Sequence, residues 1–176
     1  MSKRLTLILG GVRAGKSSYA QQLATHGKRV LFVATAEAGD AEMEARIRAH
    51  QASRPAQWDT LEEPLDPATA LAPVLHRYDT VLLDCLTLWV SNLLLSSESY
   101  DIPAEARRLL ELYRQGDASW IIVSNEVGLG VVPVSALGRT FADELGRVNQ
   151  LVAEEADAVY FMAAGLPLAM KGPATE

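Results

Sequence analysis

The stretch LTLILGGVRAGKS, residues 5–17, decides the fold of this chain. A short apolar run precedes a loop that fits the pattern G-x-x-x-x-G-K-[ST], and a helical stretch follows it. Glycines let such a loop curl so that successive N–H groups point at phosphate oxygens, and the positive end of the next helix adds to the attraction. Lys16 would reach the β- and γ-phosphates, and the Ser17 hydroxyl would bind Mg²⁺. The stretch therefore predicts a nucleotide site at a phosphate loop, residues 10–17.

The composition is that of an acidic globular protein. Among 176 residues, 16 Lys and Arg stand against 22 Asp and Glu, which gives a net charge of -6. A chain with this charge and no basic cluster lacks the positive surface of a nucleic-acid binder, so we expect no nucleic-acid partner. The single cysteine, Cys85, excludes an internal disulfide and a cysteine-based zinc site. We expect a cytoplasmic protein without a membrane span, because no segment is long and apolar enough and the first strand leaves no room for a signal peptide.

Short apolar runs alternate with longer helical stretches along the chain. The expected strands are 5–9, 29–34, 79–84, 119–124 and 158–163, with a short final strand over 166–171. The expected helices are 16–26, 41–52, 67–76, 86–95, 103–115 and 135–156, with Gly27 capping the first and a break at Gly138 in the last. The alternation predicts an α/β fold with a mostly parallel sheet covered on both faces. We expect one nucleotide-binding catalytic domain over residues 1–171 and a frayed tail over 172–176.

Polar residues follow several predicted strands at their carboxyl ends. Thr35, Asp84 and the pair Asn125-Glu126 each come directly after an apolar run. In open α/β sheets, ligands bind at this edge, so we expect these groups to converge beside the phosphate loop. Asp84 could hold Mg²⁺ there or cap the next helix, and Asn125-Glu126 could also be a polar turn. This convergence favours an enzyme over a scaffold.

Three further motifs accompany GGVRAGKS: RIRAHQASRPAQW at 46–58, NEVGLGVVP at 125–133 and GRVNQ at 146–150. With them the chain closely resembles, nearly end to end, the bifunctional adenosylcobinamide kinase/adenosylcobinamide-phosphate guanylyltransferase family. The resemblance implies a P-loop NTPase (RecA-like) three-layer fold in which the C-terminal strand can be antiparallel. It implies that ATP or GTP phosphorylates the aminopropanol hydroxyl of adenosylcobinamide, and that GMP from GTP is then placed on that phosphate with release of pyrophosphate. It also implies a homotrimer.

The resemblance carries over to individual residues. The family's second reaction passes through a guanylyl-histidine, and the histidine of its H-x-x-x-R-P pattern corresponds to His50. Lys16 is the other expected catalytic residue. Ser17 and Asp84 are the expected Mg²⁺ ligands, although Asp84 could instead bind the N–H edge of guanine. Nucleotide contacts are expected at Gly10, Gly11, Val12, Arg13, Ala14, Gly15, Lys16, Ser17, Thr35, Ala36, Glu37, Gln51, Ala52, Ser53, Arg54, Glu62 and Asp84. Some relatives have a second histidine where this chain has Ala49, so His50 is the only imidazole in that stretch.

Read from the residues alone, His50 has two interpretations. On a helix it would share a face with Met43 and Ile47, as a packed and hydrogen-bonded side chain. Arg46 and Arg54 lie four residues away on either side. These cations would lower the pKa of the imidazole and keep it neutral for attack on phosphorus, and they could also hold the triphosphate. The second interpretation requires the His50 segment to approach the phosphate loop.

Other functions and roles stay open at this point. A P-loop kinase of another small alcohol, with His50 structural, is the alternative enzyme, and a non-catalytic nucleotide sensor is the alternative class. A signalling GTPase is disfavoured because no Asn-Lys-x-Asp motif is present. Glu126 is a candidate for activating the corrinoid hydroxyl. Arg147 and Asn149 either bind the corrinoid or lie on a solvated or subunit-contact face.

Overall fold

A seven-stranded sheet runs through the part of the chain that the computed structural model describes, residues 3–37, 48, 51 and 54–172. The strands are β1 Leu5–Gly10, β2 Val30–Ala34, β3 Asp59–Glu62, β4 Thr80–Asp84, β5 Ser119–Val123, β6 Ala158–Ala163 and β7 Leu166–Lys171. Their order across the sheet is β3-β2-β4-β5-β1-β6-β7. All neighbouring pairs are parallel except β6 and β7. The strand that leads into the phosphate loop, β1, is therefore separated from β4 by β5 alone.

Helices cover both faces of this sheet. They are α1 Lys16–Ala24, α2 Pro67–Leu71, α3 Leu86–Leu95, α4 Ile102–Gln115 and α5 Ala136–Glu155. On one face α1 packs on β1, β2, β4 and β5, and on the other face α2, α3, α4 and α5 share a larger apolar core. Every residue of β1 and β2 is buried, as expected for parallel strands with helices on both sides. The predicted three-layer α/β fold with an antiparallel last strand is confirmed.

The parallel register brings the carboxyl ends of the strands to one level. Glu62 of β3 pairs with Ala34 of β2, and Ala34 pairs with Asp84 of β4. Asp84 in turn pairs with Val123 of β5, next to β1. Residues that follow these positions therefore meet at one edge of the sheet, beside the phosphate loop. None of the helices within the described ranges is long and apolar enough to cross a membrane.

Strand β3 and the helix expected over 67–76 differ from the sequence-based expectation, and most of the helix expected over 41–52 lies outside the described residues. Strand β3 was not predicted, because it is only four residues long, DTLE, and all of them except Leu61 are polar and exposed at the edge of the sheet. The helix expected over 67–76 ends at Leu71, and a 3-10 turn, Leu75–Arg77, follows. Pro73 lies between the two, and it lacks the N–H group that a continuing helix would use.

Two glycines also act differently from the prediction. Helix α1 ends at Ala24 with Thr25 as its last cap, before Gly27 is reached. A Cβ atom at Gly27 would lie 2.4 Å from the Thr80 hydroxyl, so close packing on β4 explains this glycine. Helix α5 runs unbroken through Gly138, whose N–H donates to the capping Ser135 side chain at 3.0 Å.

Asp66 fixes the start of α2 and ties it to α4. Its carboxylate accepts the Thr69 N–H at 3.1 Å and hydrogen bonds from Arg108 at 2.7 and 2.8 Å. Burial acts in the opposite direction, but these bonds hold the pKa of Asp66 below its ordinary value. We expect Asp66→Ala to lower the free energy of unfolding at neutral pH by about 1 kcal/mol, measured by urea denaturation.

The pH dependence of the free energy of unfolding tests whether the ionised form of the Asp66 carboxylate is the stabilising one. Because the pKa of Asp66 is lowered by folding, its contribution is present above the ordinary carboxyl pKa and is lost as the pH falls through the folded-state value. The stability gap between wild type and Asp66→Ala should therefore close in acid. Asp101→Ala is the control for the loss of a helix cap, since the Asp101 carboxylate caps α4 by accepting the Ala104 N–H at 3.0 Å. Equal stability of wild type and Asp66→Ala at neutral pH would contradict this account.

Candidate functional site

The phosphate loop has a backbone that only glycine tolerates at two positions. Gly10 has φ +149° and Gly15 has φ +94°. A Cβ atom at Gly10 would lie 2.5 Å from the Met162 carbonyl oxygen, and one at Gly15 would lie 3.1 Å from the Cα of Gly165. The Gly165 N–H also donates to the Ala14 carbonyl at 3.1 Å, so the turn between β6 and β7 supports the loop. Both glycines of the sequence pattern are thus required by backbone conformation and close packing.

Lys16 is buried at the start of α1, with 8% of its surface exposed. Its ammonium donates to the Gly11 carbonyl oxygen at 2.6 Å, which folds the side chain back along the loop. Burial lowers the pKa of Lys16, against the opposing effects of Cys85 and Asp84. The ammonium is therefore a weakly solvated cation held between the loop and the end of β4.

The first turn of α1 presents its backbone N–H groups without competition from a side chain. Gly15 is the N-cap and offers no capping side chain, and no acidic residue stands in the first turn. The half-buried Ser17 hydroxyl lies in the same turn. An uncapped helix N-terminus next to a buried ammonium attracts anions, so this arrangement suits phosphate groups.

Arg54 extends the cationic character of this edge of the sheet. Its guanidinium lies over the ring of Phe32, with its central carbon 3.7 Å from the ring centroid. Burial lowers the pKa of Arg54, and the carboxylates of Asp84 and Glu62 act in the opposite direction. Arg54 thus stands in the field of both predicted carboxylates, one of which also acts on Lys16.

Gln51 and Glu62 are brought together by a direct contact. The Gln51 side-chain amide donates to a Glu62 carboxylate oxygen at 2.9 Å. Glu62 ends β3, level with Ala34 and close to Asp84 across β2. Three predicted nucleotide contacts, Gln51 and Arg54 from one stretch of the sequence and Glu62 from β3, therefore lie at the same edge as Asp84.

Thr35 forms hydrogen bonds between two strand ends that could not be predicted from the sequence. Its hydroxyl is buried, donates to the Cys85 carbonyl at 2.7 Å and accepts the Cys85 N–H at 2.9 Å. The Thr35 carbonyl accepts a hydrogen bond from Asn92 of α3 at 2.8 Å. The side chain thus joins the ends of β2 and β4, while Ala36 is half-buried and Glu37 is exposed beyond it.

The family model for cobinamide kinase / cobinamide phosphate guanyltransferase matches residues 6–170 of this chain, from β1 into β7. The chain belongs to this family. It is 48% identical to the bifunctional adenosylcobalamin biosynthesis protein CobP of Pseudomonas aeruginosa, over 94% of this chain and 96% of that protein. It is 37% identical to the protein CobU of Salmonella typhimurium and 35% identical to that of Escherichia coli, both over 95% of this chain and 99% of the relative.

The family match confirms the predicted resemblance and enzyme class, a bifunctional kinase and guanylyltransferase. The roles of the individual site residues stay predictions. His50, Ala52 and Ser53 lie outside the described residues, so the structure says nothing of the expected guanylyl acceptor. Arg46, its predicted neighbour, lies outside them too.

The motif NEVG holds contacts that the sequence pattern did not reveal. Asn149, for which solvent exposure had been an open alternative, is buried in α5 and donates to the Asn125 carbonyl at 3.1 Å. Thr87 in the first turn of α3 accepts the Asn125 N–H at 2.8 Å. Glu126 accepts the Gly128 N–H at 2.8 Å. Thr87 was missed because no local pattern shows which backbone group a buried hydroxyl will meet.

Two other residues have simpler structural roles. Arg147 is largely exposed and forms an ion pair with Glu144 on the same helix. Burial, followed by the charge of Asp84, raises the pKa of the Cys85 thiol to about 12. Cys85 is therefore a packing residue, since its reactive thiolate is disfavoured.

Proposed function

We propose that this chain phosphorylates adenosylcobinamide with ATP or GTP and then transfers GMP from GTP to the product, giving adenosylcobinamide-GDP. The observation that carries the proposal is the match to the cobinamide kinase / cobinamide phosphate guanyltransferase family over nearly the whole chain, with an intact phosphate loop inside it. Its relatives are named as bifunctional adenosylcobalamin biosynthesis proteins. A cytoplasmic location is part of the same proposal.

In the kinase step, the aminopropanol hydroxyl attacks the γ-phosphorus of ATP or GTP, and the nucleoside diphosphate leaves. The N-terminal N–H groups of α1 and the Lys16 ammonium would hold the phosphate oxygens as charge builds on them. Glu126 is the candidate acceptor for the hydroxyl proton, since it follows β5 at the same edge and its N–H donates to the Gly10 carbonyl at 3.2 Å.

Mg²⁺ is a proposed partner of the nucleotide. Ser17 in the first turn of α1 and Asp84 at the end of β4 would hold it, and both are half-buried oxygen donors near Lys16. Within the described ranges no group of three His, Cys, Asp or Glu side chains could hold a metal ion. Two protein oxygens nevertheless fit, because Mg²⁺ on a nucleotide takes its other ligands from phosphates and water. When bound, it would neutralise charge on the β- and γ-phosphates.

In the guanylyl step, a neutral His50 nitrogen attacks the α-phosphorus of GTP and pyrophosphate leaves. A phosphate oxygen of adenosylcobinamide phosphate then attacks the same phosphorus, which breaks the bond to nitrogen and frees the histidine. The position of Arg54 supports this proposal. Its guanidinium lies within electrostatic range of Asp84 and Glu62, at the edge of the sheet where the nucleotide is expected to bind. It would stabilise negative charge on the triphosphate during the attack.

The proposed function is tested by incubating the purified protein with adenosylcobinamide and ATP, and then with GTP, and by identifying the corrinoid products by mass spectrometry. We expect adenosylcobinamide phosphate after the first incubation and adenosylcobinamide-GDP after the second. Phosphate release or transfer to small alcohols without any corrinoid product would refute the proposal.

We also propose that the chain forms a homotrimer. Large apolar side chains are exposed at several places, among them Val131 and Val134 after β5, exposed by 95% and 99%, and Leu166, Leu168 and Met170 on β7. Covering such surfaces is favourable, so self-association is expected. Analytical ultracentrifugation should give three times the chain mass of 19.0 kDa. A species of single-chain mass at micromolar concentration would contradict the proposal.

A further inference from the structure

The backbone of Asn125 is held on both sides by buried side chains. Its N–H donates to the Thr87 hydroxyl at 2.8 Å, and its carbonyl accepts from the Asn149 amide at 3.1 Å. Thr87 belongs to α3 and is 9% exposed, while Asn149 belongs to α5 and is 6% exposed. Burying polar side chains is unfavourable unless they are hydrogen-bonded, so two helices each contribute a group that fixes this one residue.

Asn125 stands between the two halves of the predicted nucleotide site. It follows β5, which lies between β1 with its phosphate loop and β4 with Asp84. The next N–H, that of Glu126, donates to the Gly10 carbonyl at 3.2 Å, and the Ser124 N–H donates to the Ile8 carbonyl at 2.9 Å. The segment is therefore attached to the β1 end of the loop as well as to both helices.

The side chains of this segment have unused hydrogen-bonding groups. The half-buried Asn125 amide has no hydrogen bond to any residue of the described ranges, although its backbone is fixed. The neighbouring Ser124 hydroxyl is fully buried, and within the same ranges it has no partner either. A primary amide can donate to an anionic oxygen at any physiological pH, because it does not titrate.

We propose that Asn125 is a phosphate-binding residue whose Nδ2 donates to the terminal phosphoryl group that the kinase step transfers. Thr87 and Asn149 are positioning residues that aim it by fixing its backbone. The inference rests on the proposed function only for the identity of the phosphoryl acceptor, since binding of a nucleoside triphosphate does not need the corrinoid. Asn125, the first residue of NEVG, would therefore bind phosphate, whereas Glu126, the second, is the proposed proton acceptor.

Nucleotide binding tests the contact directly. The affinities of wild type and Asn125→Ala are measured for ADP and for a non-hydrolysable ATP analogue, with Mg²⁺ present throughout. Loss of one hydrogen bond to a charged oxygen should weaken binding of the analogue about tenfold and leave ADP within about twofold. Asn125→Asp should weaken the analogue further, because a carboxylate repels phosphate. The kcat for phosphorylation should fall about 100-fold in Asn125→Ala.

The positioning residues are tested with near-isosteric variants. Thr87→Val removes the hydroxyl that holds the Asn125 N–H, and we expect kcat to fall about tenfold. Thr87→Ser restores the hydroxyl and should recover most of it. Thr80→Val is the matched control, since Thr80 is also buried but lies at the opposite edge of the sheet, and its kcat should be unchanged.

The outcomes separate this inference from the proposed function. If Asn125→Ala keeps the wild-type ratio of analogue to ADP affinity, Asn125 does not touch the terminal phosphate and the inference is overturned. If kcat drops equally in Thr87→Val, Thr87→Ser and Thr80→Val, Thr87 is a general stability residue and the positioning role is overturned. A wild type that binds nucleotide but never phosphorylates adenosylcobinamide refutes the proposed function, while the affinity ratio still decides the role of Asn125.

Discussion

His50→Ala is expected to abolish labelling of the protein by α-labelled GTP and the formation of adenosylcobinamide-GDP. Removing the imidazole removes the atom that would carry the guanylyl group, and no other histidine stands within twenty residues of it. Phosphorylation of adenosylcobinamide should stay within about threefold of wild type, because the phosphate loop does not depend on His50. Both activities are measured on the same preparation.

The other two histidines supply matched controls. His26 is exposed after α1 and His76 is exposed in the 3-10 turn, and neither is assigned any chemistry. His26→Ala and His76→Ala should keep both activities and the label. The adduct on wild type should be labile in acid and stable in base, as expected for a phosphorus–nitrogen bond. An active wild type that forms no adduct under trapping conditions, or His50→Ala that still forms one, would defeat the guanylyl-histidine proposal.

Much of the fold could be predicted because its signals are local. The helix over 86–95 and the strand over 158–163 begin and end at the predicted residues, since apolar runs bounded by polar groups mark both. Strand β3 was missed because its short, mostly polar sequence becomes a strand only by pairing with β2. Gly27 was assigned to a helix cap because its packing on Thr80, 53 positions away, leaves no trace in the local sequence.

The candidate site was likewise predictable only where its features depend on local sequence. The phosphate loop could be predicted from spacing, because its glycines and its lysine act through the local backbone. Thr35 was placed at the correct edge, but the hydrogen bonds that bind its hydroxyl to Cys85 depend on how two strands meet. The hold on Asn125 by Thr87 and Asn149 joins three separate elements. Contacts of this kind follow from tertiary packing, which a single sequence does not display.

Lys16→Met is expected to reduce kcat for adenosylcobinamide phosphorylation by at least about 100-fold and to impair guanylyl transfer as well. The variant keeps a side chain of similar length and removes only the charge that would meet the phosphates in both reactions. Since burial lowers the pKa of Lys16, the folded state holds this ammonium less favourably than the unfolded chain does at neutral pH. Replacing Lys16 removes this unfavourable burial of charge and also the hydrogen bond to the Gly11 carbonyl. Because the two effects have opposite signs, the free energy of unfolding should change by less than about 1 kcal/mol.

Lys28→Met removes the same charge from an exposed position at the opposite edge of the sheet. It should leave both activities unchanged, so that a general effect of net charge on substrate binding can be recognised. A Lys16→Met protein that unfolds like wild type but loses activity assigns the loss to chemistry at the phosphate loop. If Lys16→Met instead retains kcat within about fivefold of wild type, the loop is not the site of phosphoryl transfer. Asp84 and Arg54 would then have to bind the nucleotide in another orientation, with its phosphates away from α1.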